Sequence, residues 1–210
     1  MDRTPFLGYM MLTTHVLIGL ALATPIVVAA PDLGTAALVG GALGGGFPDA
    51  DMYTAHRRTL HFPVYFAALS IPAVALAAIV TTPATVALAL AVVAAAVHCC
   101  MDALGGGLEL RPWRGTSERA VYDHYRGRWL PPRRWIRYDG APEDFVLGLG
   151  IGVPLWFLLE GRFELFVLVL LAISAVYAAV RRRLPDLAPV VADVAPDALS
   201  PYIPDESDKP

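Results

Sequence analysis

The sequence predicts an all-α fold, a polytopic helical membrane protein of about six spans, and three observations carry that prediction. Of 210 residues, 56% are apolar and only 17% charged, whereas soluble domains carry about 25% charged residues. Positions 62–97 are 36 consecutive residues without Asp, Glu, Lys, Arg or His, far beyond the ~18 apolar residues that already mark a membrane span. The arginines are also segregated into blocks instead of being spread along the chain. This composition excludes a secreted globular enzyme. The net charge of −3 is too small to imply a polyanionic partner, so no nucleic acid is expected. Cys99 and Cys100 are adjacent within an apolar run, which gives neither a disulfide framework nor a metal knuckle; they read as small buried hydrophobes.

The N-terminal stretch lacks a basic region followed by a short apolar core and a cleavage site, so a retained first helix is expected. It runs near residues 7–29, kinked at Pro25. A short Gly-rich second span is expected from Leu33 to Phe47, after a turn at Pro31-Asp32. The long uncharged run would reach ~54 Å as one helix, against a hydrocarbon core of ~30 Å. It therefore folds back at Thr81-Thr82-Pro83, where proline suits the start of a helix and the hydroxyls before it can cap free amides. That gives spans at 63–80 and 83–104. Two more follow at 143–159 and 163–180, joined by Glu160-Gly161-Arg162.

Six crossings put both termini on one side. With that side cytoplasmic, Arg3, Arg57, Arg58, the eight arginines between Arg111 and Arg137, Arg181 to Arg183 and Lys209 all lie inside, and Arg162 alone lies outside. The expected location is the inner or plasma membrane, with a helical membrane domain over 1–183. Its inserted 105–141 loop sets eight arginines against Glu109, Glu118, Asp123 and Asp139, interleaved with Trp113, Trp129 and Trp135. Two readings fit: cytoplasmic topology with an aromatic belt, or an arginine-rich lid for anionic headgroups or phosphates. Thr116-Ser117 before Glu118 predicts a short helix that Pro131-Pro132 would end. Residues 184–210, rich in Pro, Ala and Asp, read as a disordered acidic tail.

Ionisable side chains within or beside spans are costly and need a reason. Here they share one level. His15 falls in the inner half of the first span, Asp49 and Asp51 follow the second, His56 and His61 precede the third, and His98 and Asp102 sit near the inner end of the fourth. Seven potential ligands from four segments thus converge on one layer. His98 and Asp102, four apart on a helix, project from one face. Asp49 and Asp51 would repel each other unless a cation relieved them. A mixed His and Asp set suits zinc, or manganese or another first-row divalent ion, better than calcium.

The ordered series His15, Gly46-Phe47-Pro48-Asp49-Ala50-Asp51, His56-Arg57-x-x-x-His61 and His98-x-x-x-Asp102 resembles the LexA-binding, inner-membrane-associated hydrolases, also described as membrane-bound metal-dependent hydrolases. The resemblance covers residues 10 to about 115. In many members the middle motif reads His-Arg-Gly-x-Thr-His-Ser, whereas Arg58, Leu60 and Phe62 stand at three of those positions here, so no role is carried over for the hydroxyls. The pair His98 and Asp102 is also similar, more loosely, to one in zinc-dependent phospholipases C. The resemblance implies metal-dependent hydrolysis; the LexA association is not carried over.

These readings combine into metal-assisted hydrolysis of a phosphoester or similar bond at the cytoplasmic membrane face. His15, Asp49, His61, His98 and Asp102 are expected to hold one or two ions. Asp51 or His56 would act as general base or further ligand, and Arg57 as an anion clamp. The expected partners are the lipid bilayer and an anionic lipid or phosphoester substrate. Two alternatives use the same cluster: an ion- or proton-coupled transporter, and a structural membrane module.

Overall fold

The computed structural model describes residues 12–186, so the N-terminal eleven residues and all of the expected 184–210 tail except 184–186, which form a helical turn, lie outside the description. The fold is mostly helical. Six α-helices occupy the six expected places: α1 (Leu12–Ala29), α2 (Pro31–Gly46), α3 (Pro63–Ile79), α4 (Pro83–Leu104), α5 (Pro142–Leu158) and α6 (Arg162–Val180). Three of them, α1, α4 and α6, are long and apolar enough to cross a membrane. Proline opens α2, α3, α4 and α5, where its missing N–H costs nothing. The break before α4 is a reciprocal cap. Thr82 Oγ1 accepts from the Thr85 amide at 3.2 Å, and the Thr82 amide donates to Thr85 Oγ1 at 3.0 Å. Gly161, at φ +61°, makes the tight turn into α6.

α2 lies between α1 and α4, and its glycines explain how closely. A Cβ at Gly41 would overlap the carbonyl of Gly19 on α1, and one at Gly44 would overlap the carbonyl of Ala91 on α4. Small residues four apart on two faces thus let three backbones meet almost directly. The apolar core comprises Leu17, Leu20 and Ala23 from α1, Ala37 and Leu38 from α2, Val86 from α4, and Leu155, Val167 and Leu170 from α5 and α6. α5 and α6 are tied to α1 by polar bonds as well: Thr14 donates to Asp144 at 2.8 Å and Ser174 to Thr13 at 2.6 Å. α3 packs along α4 and buries none of its residues fully. Ile71 and Ile79 of α3, Phe157 of α5 and Val176 of α6 turn outward, as lipid-facing residues would.

Two expectations are corrected. The helix expected after Thr116-Ser117 does not form. Glu109 accepts the amides of both Thr116 and Ser117, which ties them to the loop after α4 instead of to a new helix. The following residues build an antiparallel hairpin, β1 (Val121–Asp123) and β2 (Arg128–Leu130), with Tyr122 opposite Trp129. Asp123 Oδ1 takes the amides of Tyr125 and Arg126, and Gly127 supplies the left-handed residue at φ +64° that such a turn requires. Only Cys99 is a buried thiol; Cys100 is exposed, because the next position on a helix turns about 100° away.

Candidate metal centre

The close approach of α1, α2 and α4 sets the site. His15 on α1 and His98 on α4 stack face to face, with ring centroids 3.8 Å apart, beside the end of α2. A 3-10 turn, Pro48–Tyr53, leaves α2 and carries Asp49 and Asp51. The loop that follows brings His56, Arg57 and His61 over the C-terminal end of α4, where Asp102 sits. All eight predicted site residues are brought together, and none is more than 6% exposed.

Four ligand atoms converge. His61 Nε2 lies 3.2 Å from His98 Nε2, 3.6 Å from Asp49 Oδ1 and 3.0 Å from Asp102 Oδ2. His98 Nε2 is 3.4 Å from each of the same two oxygens. Tetrahedral coordination with bonds of about 2.0–2.1 Å requires its ligands to stand about 3.3–3.4 Å apart, and these five separations bracket that value.

The hydrogen bonds behind the imidazoles say what the converging nitrogens carry. His98 Nδ1 donates to the carbonyl of Gly45 at 2.7 Å, and a carbonyl can only accept. His61 Nδ1 donates to Asp51 Oδ2 at 3.0 Å. When neutral, a ring held this way presents a bare Nε2 to the centre, the tautomer that metal-ligating histidines adopt when a carbonyl or carboxylate holds the other nitrogen. Two lone pairs facing each other at this distance repel unless a cation lies between them.

Asp51 is the hub of the loop. Its Oδ1 takes His56 Nδ1 at 2.9 Å and the Arg57 amide at 3.4 Å, and its Oδ2 takes the Leu60 amide at 3.0 Å in addition to His61. Burial pushes its carboxyl upward, but the bonds from His56 and His61 outweigh that and hold it far below the ordinary 3.8. Asp49 is held low in the same way, burial being overcome by His98 and His61. For His61, burial favours the neutral ring, yet Asp102, Asp49 and Asp51 raise its pKa well above 6.5. The centre draws positive charge, either a proton or a metal ion.

Arg57 is buried at φ +57°, a conformation a bulky residue keeps only when its surroundings hold it there. Its Nη1 donates to the Gly106 carbonyl at 2.9 Å, its Nη2 lies 3.3 Å from Asp102 Oδ1, and its own carbonyl accepts the Tyr122 amide at 2.9 Å. The hairpin is thereby fastened over the centre. His15 stands slightly apart, with Nε2 3.4 Å from Asp102 Oδ1 and both nitrogens lacking hydrogen-bond partners.

Residue patterns give no hint of the Gly45 carbonyl, since every residue has one. Nor do they hint at a second buried polar group where the start of α5 meets the end of α6, with Tyr177 donating to Asp139 at 2.9 Å and the enclosed Arg181 guanidinium 3.4 Å from it. The sequence carries only a faint signal for it, Asp139 beside Tyr138 and Arg181 four residues after Tyr177. These His and Asp groups could hold a metal ion. No family model matches the chain, and no curated protein or solved structure is similar to it.

Proposed function

We propose that the protein is a membrane-bound, metal-dependent hydrolase acting on a phosphoester or similar bond at the cytoplasmic face. The observation that carries this is the convergence of two imidazole nitrogens and two carboxylate oxygens, with five separations between 3.0 and 3.6 Å. Asp49, His61, His98 and Asp102 would hold the ion, which by its mixed nitrogen and oxygen set is best read as zinc. A divalent ion held there supplies Lewis acidity, making water nucleophilic near neutral pH. The resemblance to membrane-bound metal-dependent hydrolases agrees with this assignment.

The chain's own residues do the rest. Asp51 fixes the tautomer and aim of His61. His56, on the other oxygen of Asp51, is the group through which a proton would leave. Arg57 faces the ion across Asp102 and would steady an anionic oxygen of the substrate. Because the centre is enclosed, substrate reaches it only when the loop carrying Arg57 and the hairpin part from the end of α4. In the bilayer we read all six helices as spans, with both termini cytoplasmic, which sets the centre just inside the inner leaflet near anionic headgroups.

Protein purified from membranes in detergent is expected to carry a first-row divalent metal by elemental analysis and to release product from a panel of phosphomonoesters and phosphodiesters. Both properties should be lost in His98→Ala. Wild-type protein without metal, or His98→Ala with unchanged metal content, defeats the assignment. Metal binding with ion flux in proteoliposomes and no hydrolysis would replace it with a transporter.

A further inference from the structure

We propose that the centre holds one divalent ion and that the Arg57 guanidinium occupies the place of a second. This rests on the metal-binding reading above. A second ion would have to use the other cluster of donors, His15, His98 and Asp102, whose ligand atoms also lie close together. His98 cannot serve both. Its Nδ1 is committed to the Gly45 carbonyl, and its one lone pair is directed at His61, Asp49 and Asp102 Oδ2. That leaves His15 Nε2 and Asp102 Oδ1, 3.4 Å apart, and Arg57 Nη2 stands 3.3 Å from that same oxygen. Two donors are too few to hold a divalent ion, and a guanidinium at that distance repels one.

Charge gives the same count. The enclosed set contains three carboxylates, Asp49, Asp51 and Asp102, and one permanent cation, Arg57. With neutral imidazoles its sum is −2. Net charge in an enclosed site is expensive. One divalent ion brings the sum to zero; two would leave it at +2.

Arg57 is fastened into this position by the Gly106 carbonyl and by its left-handed backbone. In two-ion hydrolases the second ion steadies the attacking or departing oxygen. Here that electrostatic task falls to a guanidinium whose Nε–H is buried without a partner, so the fitting substrate carries an anionic oxygen beside the bond that breaks.

The test is a titration of full-length, chelator-stripped protein in detergent with Co2+, read by visible absorption and by metal analysis after desalting, and repeated with Zn2+. Wild type is expected to saturate at one ion per chain with the intense bands of tetrahedral cobalt. Arg57→Lys, which keeps the charge, also saturates at one. Arg57→Gln, which removes it, is expected to bind its first ion about tenfold more tightly or better, or to accept a second. Two ions per wild-type chain overturn the proposal and leave the metal reading intact, as does an Arg57→Gln variant with unchanged stoichiometry and unchanged or weaker affinity. Wild type that binds no ion removes the metal reading and this proposal with it.

Discussion

Replacing Asp51 with Asn isolates the support behind the centre from the centre itself. Asp51 accepts on both sides, from His56 and the Arg57 amide at Oδ1 and from His61 and the Leu60 amide at Oδ2. Asn has one accepting oxygen and one donating NH2, so in either orientation one pair of N–H groups meets another donor. With the NH2 toward His61, the ring is driven to its other tautomer and Nε2 gains a proton, which removes a ligand. With the NH2 toward His56, the 56–61 loop loses its tie. Breaking such support behind a ligand typically lowers metal affinity by about 10–100-fold, or about 1.4–2.7 kcal/mol. Competition against a chelator of known affinity, with the full chain in detergent, measures this directly. Affinity in Asp51→Asn equal to wild type, with turnover alone reduced, would refute the reasoning and make Asp51 a general base instead of an orienting group.

Other expectations concern stability. The pKa of His61 is raised above 6.5 by its three carboxylate neighbours, so its proton stabilises the chelated protein fully below pH 6.5, and that contribution is lost as pH rises through the raised value. Asp49 and Asp51 are depressed, so theirs persists above the ordinary 3.8 and fails only in stronger acid. Melting temperature of the chelated protein should therefore fall toward alkaline pH while that of the metal-loaded protein does not; parallel curves would contradict this. Gly44→Leu should cost about 1–3 kcal/mol or prevent folding by forcing α2 off α4, and it should release metal as well, because the Gly45 carbonyl moves with it; a stable variant retaining metal would count against the packing account. Arg181→Ala strips the counter-charge from Asp139 and should cost about 3–5 kcal/mol in denaturant unfolding, with metal content unchanged in the folded fraction. Glu143→Ala, which removes an exposed pair with the Arg137 side chain and a bond from the Arg137 amide, should shift the melting temperature little.

The helices were legible because an apolar chain interrupted by proline and glycine leaves few ways to divide it, and each division matches a helix boundary to within a few residues. The candidate site was legible for a related reason: His15, His98 and Asp102 stand out in apolar helices otherwise free of charge, where each ionisable group needs a partner. The division of labour among them was not. Asp49 and Asp51 look alike in sequence, and only the turn of Pro48–Tyr53 aims one at the centre and the other at the backs of His56 and His61. The hairpin was hidden because Thr116, Ser117 and Glu118 satisfy the local pattern of a helix start, while the residue that claims those amides, Glu109, belongs to the preceding segment. A local rule lost to a contact seven residues away.

The bare flanks of α2 also bear on how the chain is made. If α2 is one of the spans proposed above, a segment with so little side-chain surface has a weak grip on lipid and depends on its neighbours to stay inserted. During synthesis α1 and α2 emerge as a pair, and until α4 arrives some fifty residues later, one side of the nascent hairpin offers only exposed peptide groups. A protein halted or mutated at that stage lacks its inner seam, and membrane proteases that survey unfinished helices would find it there. The arrival of α4 thus closes the seam and brings His98 and Asp102 to the candidate centre at once, before α5 and α6 join the bundle.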